Sequence, residues 1–271
     1  MILEIIKNEL KNHKNKSDII KIGYIKEYLQ VYILKQIFEN PLSSGLIFYW
    51  WTSLRFLFWL NRLSEDLDFI SKDFKDFEAL WEILKKYFKS NNIELNYKIQ
   101  KFRLILNFKN FLGEFNLNYW NSKDLYLKIE ISEYFDFCKN FETKIYPIFK
   151  LNQSLLIKSL DKNSLFSTKI NAVLHRNWEK QIGSEKIAVK WRDIYDLFWY
   201  LSNNFTPNIN CIIWVKDLPD LKEKLTKIIE KINFKEVILD IENFIEDTSL
   251  LNFLQENWKN YLLEKIQEIK I

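Results

Sequence analysis

Two aspartates are the residues whose types and spacing best suit a chemical role. Asp66 and Asp68 stand two apart in a segment, residues 64–70, that alternates polar and apolar residues as a half-buried strand does. Their carboxylates would leave one face of the strand roughly 6–7 Å apart. That spacing suits shared coordination of Mg²⁺ or Mn²⁺, since such ions take one or two protein carboxylates together with substrate phosphates. Solvated carboxylates on a strand are the alternative, so the surroundings must decide.

The periodicity of the chain predicts an α+β fold in two domains. A mixed α/β domain is expected over residues 1–150 and a mainly helical domain over residues 151–271. In the first domain the pattern predicts helices at 25–40, 52–60 and 74–89, with strands at 46–49, 64–70, 93–99, 102–108, 115–119 and 125–132. In the second domain it predicts helices at 160–176, 192–203, 218–232, 234–245 and 257–269.

Composition excludes several classes of protein. The 271 residues are 48% hydrophobic and 28% charged, which excludes a disordered or fibrous chain. The start of the chain lacks the apolar core of a secretory signal and no apolar run could span a bilayer, so we expect a cytoplasmic protein with no membrane partner. Cys138 and Cys211 are far apart and lack partner histidines, so we expect two free thiols. A net charge of +4 permits contact with nucleic acid without requiring it.

The residues around the aspartate pair carry a resemblance to a known family. Residues 48–69 read FYWWTSLRFLFWLNRLSEDLDF. They resemble the signature of the AbiEii/AbiGii-type nucleotidyltransferase toxins, of the DNA polymerase β-like superfamily. In that signature a strand leads into Gly-Gly-(Ser/Thr)-x-Leu-Arg, and Arg-x-Ser-x-Asp-hydrophobic-Asp follows a short helix. The matching positions are Thr52, Leu54, Arg55, Arg62, Ser64, Asp66 and Asp68.

Three later segments are similar to further motifs of the same family. Residues 127–132 resemble its acidic strand, and residues 167–176 and 189–197 resemble its Lys-x-x-Ala and Arg-Asp-x-x-Asp helices. The resemblance implies a polymerase β-like nucleotidyltransferase core with a mixed sheet, followed by a helical region that completes the active-site cleft. It covers about residues 25–200.

The resemblance also implies roles for individual residues. The metal ligands, which also activate the nucleophile, would be Asp66, Asp68 and Glu130. Lys169 would neutralise triphosphate charge, and Asp193 would orient Lys169 or the attacking hydroxyl. The nucleotide-binding positions would be Trp50, Trp51, Thr52, Ser53, Arg55, Arg62, Arg176 and Asp196. Lys169 and Arg176 share one helix face, as do Asp193 and Asp196, although a surface ion-pair lattice would give the same spacing.

Tryptophan stands where the family has glycine. Trp50 and Trp51 occupy the Gly-Gly positions, and Trp59 and Trp191 also fall where glycine is expected. The chain has 4 glycines and 10 tryptophans, the inverse of ordinary usage. One hypothesis is that several tryptophans are native glycines, from a gene in which UGA encodes glycine, with Trp199 a genuine tryptophan. UGG codons at 50 and 51 would exclude it. The other is a degenerate relative that has lost nucleotide binding.

These observations leave more than one function open. The leading hypothesis is an Mg²⁺- or Mn²⁺-dependent toxin that transfers NMP from an NTP to an acceptor, such as the 3′ end of a tRNA. The family implies a toxin–antitoxin or phage-abortive role and a cognate antitoxin. The alternative is a non-catalytic protein of the same fold that binds RNA or a protein partner. A kinase-like phosphotransferase would differ by releasing a nucleoside diphosphate.

Overall fold

The elements of the protein are given by a computed structural model. It describes residues 2–72, 74, 76–133, 138, 140–175, 179–182, 185–188 and 192–270. The helices are α1 (Ile2–Leu10), α2 (Asp18–Phe38), α3 (Trp50–Phe58), α4 (Phe77–Ser90), α5 (Lys162–His175), α6 (Arg192–Ser202), α7 (Leu218–Lys231), α8 (Phe234–Ile241) and α9 (Thr248–Gln267). The strands are β1 (Ile47–Phe48), β2 (Leu67–Ser71), β3 (Leu95–Gln100), β4 (Arg103–Phe108), β5 (Leu125–Glu133), β6 (Thr143–Lys150), β7 (Gln153–Leu160), β8 (Glu179–Ile182) and β9 (Glu185–Ala188).

The chain divides into two units. The first comprises Met1–Tyr134 and Thr143–Ser159, and the second comprises Phe135–Glu142 and Leu160–Ile271. The predicted boundary near residue 150 falls in the turn between β6 and β7, inside the first unit. Periodicity did not predict these two strands, because Ile145 and Phe149 of β6 face solvent and blur the alternation that marks a half-buried strand.

The first unit is built on a mixed sheet in the order β3-β4-β5-β2-β1-β7-β6. Strand β2 runs parallel to β5 and antiparallel to β1, which in turn pairs in parallel with β7. All five residues of β2 are buried, so this strand lies in the core. The mixed sheet with its helices confirms the predicted fold class.

Helix α2 fixes the segment that leads into β2. The Ser17 side chain accepts the N–H of Ile20 at 3.4 Å and caps the helix. A Cβ added at Gly23 would meet Leu63 Cδ1 at 2.7 Å, so the backbone of α2 approaches this segment closely. A side chain at position 23 would therefore require the Leu63 side chain to move.

Two predictions about local structure are wrong. The strand predicted at 115–119 is absent; a 3-10 turn, Phe111–Phe115, stands before it, because Asn110 and Asn116 adopt left-handed backbone on either side. The two cysteines are paired as a disulfide, Cys138 to Cys211, with Cα atoms 4.4 Å apart. Sequence spacing gave no sign of this pair, since the fold brings residues 73 apart in sequence together within the second unit.

The second unit is mainly helical. Helices α5 and α6 pack together, and α6 also contacts α8 and α9. Trp258 of α9 is buried against Tyr195 and Phe198 of α6, with ring centroids 6.3 and 6.1 Å away. Strands β8 and β9 form a separate antiparallel pair. None of the helices in the described part of the chain has the length and apolar character that crossing a bilayer requires.

The tryptophans fall into structural groups. Three are buried in helices: Trp81, Trp199 and Trp258. Four have left-handed backbone, with φ of 68°, 59°, 50° and 57°: Trp50, Trp59, Trp120 and Trp214. Trp51 is half-buried in α3, whereas Trp178 and Trp191 lie outside the described residues. Left-handed backbone costs an L-residue about 1–2 kcal/mol, a cost that glycine avoids.

The left-handed tryptophans occupy turn positions that ordinarily suit glycine. Trp59 follows the last residue of α3, and its N–H, like that of Leu60, donates to the carbonyl of Leu54. Trp120 occupies a two-residue turn in which Tyr119 and Ser122 exchange hydrogen bonds of 2.8 and 3.0 Å. The indoles of Trp59, Trp120 and Trp214 are 82%, 87% and 79% exposed, so packing offsets little of the backbone cost.

Glycine at these three positions should stabilise the protein. We expect Trp59→Gly, Trp120→Gly and Trp214→Gly each to raise the free energy of unfolding by about 1 kcal/mol, because each relieves left-handed strain. Urea unfolding measures the change. Trp258→Gly is the control, and loss of its buried indole should cost about 3–5 kcal/mol. Destabilisation by all three exposed substitutions would contradict this interpretation.

Candidate functional site

Hydrogen bonds join the start of α3 directly to β2. The N–H of Tyr49 donates to the carbonyl of Asp68 at 3.1 Å. The hydroxyl of Thr52 bonds the Ser64 hydroxyl and donates to the carbonyl of Asp66. Thr52 and Ser64 are both buried. The two halves of the signature, although separated along the chain, therefore form one hydrogen-bonded unit.

The predicted acidic residues gather at β2 and β5. Asp68 lies opposite Glu130 in the parallel register of these strands, and Asp66 immediately precedes β2. The Lys128 ammonium lies 3.5 Å from an Asp66 carboxylate oxygen, and Arg103 Nε lies 2.9 Å from Glu130. Burial raises the pKa of Asp66, and the charge of Lys128 offsets only part of that effect.

The donor chemistry of Asp66 and Asp68 fits a hard divalent cation. Both carboxylates are oxygen donors, and burial disfavours the charge of Asp66, a cost that a bound cation would offset. Among the described residues, however, no group of three or more His, Cys, Asp or Glu side chains converges as a metal site. Asp66 and Asp68 thus fit a metal ion that they would hold together with substrate phosphates. Glu130 lies beside them and pairs with Arg103.

Arg55 lies in a buried ion network. Its Nε donates to Glu27 Oε2 at 2.8 Å, and its Nη1 donates to the Leu60 carbonyl at 3.0 Å. Lys150 of β6 bonds the other carboxylate oxygen of Glu27. Burial alone would raise the pKa of Glu27, but the charges of Arg55 and Lys150 outweigh it and hold that pKa below its ordinary value. Arg55 therefore ties α3 to α2.

Arg62 is also buried, with only 1% of its surface exposed. Its Nη1 donates to the carbonyl of Leu63 at 3.3 Å, and its guanidinium lies 5.8 Å from the ring centroid of Trp51. In this structure the guanidinium groups of Arg55 and Arg62 therefore bond groups of the first unit and stabilise the segments that carry the signature motif.

Indoles crowd the start of α3. Trp50 is half-buried with φ of 68°, and its ring centroid lies 5.5 Å from that of Trp51. Ser53, in the same turn, is buried and donates to the Trp50 carbonyl at 2.7 Å. The first N–H groups of a helix lack intrahelical partners and favour phosphate. The left-handed backbone of Trp50 is therefore a glycine-like feature at the place where a triphosphate would meet this helix.

The second unit holds a buried triad of charges. Lys169 Nζ lies 3.2 Å from Asp193 and 3.0 Å from Asp196, and all three side chains are at most 1% exposed. Lys169 therefore joins α5 to α6 through the two aspartates. Arg176, predicted to share the helix face of Lys169, and Trp191 lie outside the described residues.

Comparison with known proteins identifies the family. The model of the nucleotidyl transferase AbiEii toxin family, a type IV toxin–antitoxin system, matches residues 33–268. The chain belongs to the AbiEii family. No protein of curated function matches it in sequence.

Two solved structures share the fold of this AbiEii-family chain. MenT4, a nucleotidyltransferase toxin from Mycobacterium tuberculosis H37Rv, is 11% identical, with a TM-score of 0.55 over 98% of this chain and 90% of its own. JHP933 from Helicobacter pylori is 18% identical, with a TM-score of 0.50 over 91% of this chain and 94% of its own. The family assignment confirms the resemblance found in the sequence and the assignment as a nucleotidyltransferase.

Sequence reasoning missed three charged residues that contact predicted site residues, Glu27, Arg103 and Lys128, and it also missed Lys150, which pairs with Glu27. Glu27 had a visible signal, because it is a carboxylate within the apolar stretch of α2. Lys128 stands two residues before Glu130 on the same strand, so its shared face was also predictable. The contacts of Arg103 and Lys150 depend on strand pairing, which periodicity did not supply.

The buried Glu27 network should stabilise this AbiEii-family protein. We expect Glu27→Gln to lower the free energy of unfolding by about 3 kcal/mol near neutral pH, since it leaves Arg55 without its buried anion. Because the folded-state pKa of Glu27 is lowered, its stabilisation exists above the ordinary carboxyl pKa of 4.5 and is lost as pH falls through the folded-state value.

Urea unfolding at neutral and acidic pH measures that difference. The gap between wild type and Glu27→Gln should narrow below pH 4.5, the ordinary carboxyl value. Glu223→Gln is the control, since Glu223 pairs with Lys227 while 63% exposed and should matter little. A gap that is unchanged by pH would refute the ion-network interpretation.

Glycine at the start of α3 should restore nucleotide binding. We expect the double substitution Trp50→Gly and Trp51→Gly to tighten ATP binding about tenfold or more for each backbone N–H bond regained. Calorimetry with ATP and Mg²⁺ measures the affinity. Trp59→Gly, at the other end of the helix, is the matched control and should leave affinity unchanged. Equal affinity in all three proteins would show that the indoles do not obstruct phosphate.

Proposed function

We propose that the protein transfers a nucleoside monophosphate from an NTP to an RNA acceptor, such as the 3′ end of a tRNA, and requires Mg²⁺ or Mn²⁺. The observation that carries the proposal is the hydrogen-bonded unit in which Thr52 and Tyr49 hold the segment bearing Asp66 and Asp68. The start of α3, suited to phosphate, is thus bonded to the backbone of the two residues whose carboxylates would hold the metal, which supports the proposal.

The proposed reaction is an in-line substitution at the α-phosphorus. The acceptor hydroxyl oxygen forms the new bond, the bond to the bridging oxygen breaks, and pyrophosphate leaves with the electron pair. The hydroxyl proton passes to a carboxylate oxygen of Asp68 or Glu130, which stand opposite each other on β2 and β5. A divalent ion held by Asp66 and Asp68 would supply charge neutralisation for the phosphates.

The remaining residues act by positioning. Thr52 and Ser53 lie in the first turn of α3, where phosphate oxygens would meet the helix. Arg55 and Arg62 hold that helix and the following segment from within. In the second unit Lys169 neutralises phosphate charge, and Asp193 and Asp196 orient its ammonium. This assignment requires the buried Lys169 to become accessible to nucleotide.

The biological role proposed with this activity is that of a toxin whose modified RNA no longer serves the cell. A cognate antitoxin is implied by membership in a toxin–antitoxin family. By the same family analogy, the proposed role is defence against phage.

One observation favours the non-catalytic alternative. Trp50 and Trp51 stand at the turn where phosphate would bind, and both are half-buried there. A protein that retains them as native residues would keep the fold and bind RNA or a protein partner without NTP. Calorimetry distinguishes the two, because that alternative predicts no NTP binding together with salt-sensitive RNA binding.

Removal of a predicted metal ligand should abolish transfer. We expect Asp68→Asn to lower the rate of label transfer from α-labelled NTP to total tRNA at least about a thousandfold, since the lost charge contributes several kcal/mol in such sites. Thermal unfolding should show that the variant remains folded. The substitutions are made in the protein with Gly at 50 and 51 as well as in the original sequence.

The exposed carboxylate of Glu94 gives the matched control. Glu94→Gln should transfer label at the rate of its parent protein. Pyrophosphate is assayed alongside, because release of a nucleoside diphosphate would indicate a kinase-like reaction. Full activity of Asp68→Asn would remove the metal-site assignment.

A further inference from the structure

A cavity lies in the first unit, at the carboxyl ends of β2 and β5. Its volume is about 610 Å³, within the range of sites that bind small molecules or single nucleotides. Hydroxyls, lysines and aromatic rings line it, among them Ser71, Lys72, Phe74, Lys101, Phe102 and Ser132. Except for Ser132, which ends the acidic-strand motif, none of these named residues belongs to the motifs that resemble the family.

Aromatic rings form part of the cavity wall. Phe102, in the turn between β3 and β4, is 42% exposed and borders the cavity. Phe74 is half-buried and meets Phe77 edge-on, with ring centroids 5.4 Å apart. Exposed rings of this kind offer faces for stacking an unpaired base, a contact that tolerates different base sequences.

Two cationic side chains flank these rings. Lys72 and Lys101 are exposed, and neither forms an ion pair with the part of the protein that the structure describes. Lys101 has φ of 49°, a strained value for a residue other than glycine. The two-residue turn between β3 and β4 therefore presents Lys101 next to Phe102.

The cavity is connected to the acidic residues by direct contacts. The guanidinium of Arg103 lies 4.8 Å from the ring centroid of Phe102 and pairs with Glu130 at 2.9 Å. The N–H of Ile131 donates to the Phe102 carbonyl at 2.9 Å, which holds the turn on β5. Ser132 follows Glu130 by two residues, or about 7 Å along a strand.

We propose that this cavity binds the acceptor strand, a single-stranded RNA segment, with an unpaired base against Phe102 and backbone phosphates on Lys72 and Lys101. Two lysines that form no ion pair with the described residues match phosphates, and a concave aromatic wall selects an unstacked base over a duplex. The role as an acceptor site rests on the proposed transfer to RNA, whereas the binding of RNA is testable by itself.

RNA binding without any nucleotide provides the first test. Fluorescence anisotropy follows a labelled single-stranded RNA of mixed sequence at several salt concentrations. Phe102→Ala should weaken binding about tenfold, and Phe102→Tyr, which keeps a ring, should restore it. The double substitution Lys72→Gln and Lys101→Gln should lower the salt slope by about 1.4, the value for two lost phosphate contacts on a single strand.

Matched variants separate the site from general charge. Lys86→Gln with Lys98→Gln removes two exposed lysines outside the cavity lining, and it should leave the affinity and salt slope near wild type. Lys101→Gly should weaken RNA binding while it raises the free energy of unfolding, because it removes both the cation and the left-handed strain. If Lys101 were only structural, RNA binding and the free energy of unfolding would not change in opposite directions.

Other outcomes would overturn the proposal. Wild-type RNA affinity in the Phe102→Ala and double-lysine variants, or an equal loss in the control pair, would exclude the cavity as the RNA site. If free ATP competes with the RNA and the Phe102→Ala substitution abolishes that competition, the cavity binds a mononucleotide instead. If these variants weaken RNA binding but the wild-type protein transfers no label, the cavity is the RNA site and the proposed transferase function is rejected.

Discussion

The hydrogen bonds between the start of α3 and the entry of β2 are the constraint on which the rest of the site depends. Thr52 must place its hydroxyl against Ser64 and the carbonyl of Asp66, while Tyr49 bonds the carbonyl of Asp68. These groups are buried or half-buried, so each bond left unmade would cost the desolvation of a polar group. The short connection between α3 and β2 must therefore keep its length and path.

Buried charge pairs fix the elements that surround this constraint. Glu27, Arg55 and Lys150 connect α2, α3 and the end of β6 in the first unit. Lys169 connects α5 to α6 through two aspartates in the second. Pairs of this kind add little net stability compared with apolar packing, but removal of one member is costly. They therefore specify one arrangement of the helices, and that specificity is what a site with positioned charges requires.

Much of the first unit could be predicted from the sequence. The order of strand, helix and strand around Asp66 follows from local periodicity, and the registry of Asp68 with Glu130 agrees with the motif assignment. The β6–β7 hairpin and the pairing of Cys138 with Cys211 could not be predicted, because both depend on contacts between residues distant in sequence. The same reason hid the partners of Arg55 and Glu130, since periodicity reports which face a residue occupies but not what faces it.

Backbone conformation adds an independent criterion to the unusual tryptophan content. A buried indole such as Trp258 gains stability through packing and has ordinary helical φ, whereas Trp59 and Trp120 combine left-handed φ with exposures of 82% and 87%. The fold thus places glycine-like backbone at positions that the motif analysis did not consider, Trp120 and Trp214, as well as at Trp50. Position in the family motif and backbone geometry are independent observations. Both favour glycine at Trp50 and Trp59, so the fold there has a backbone conformation that glycine adopts without strain.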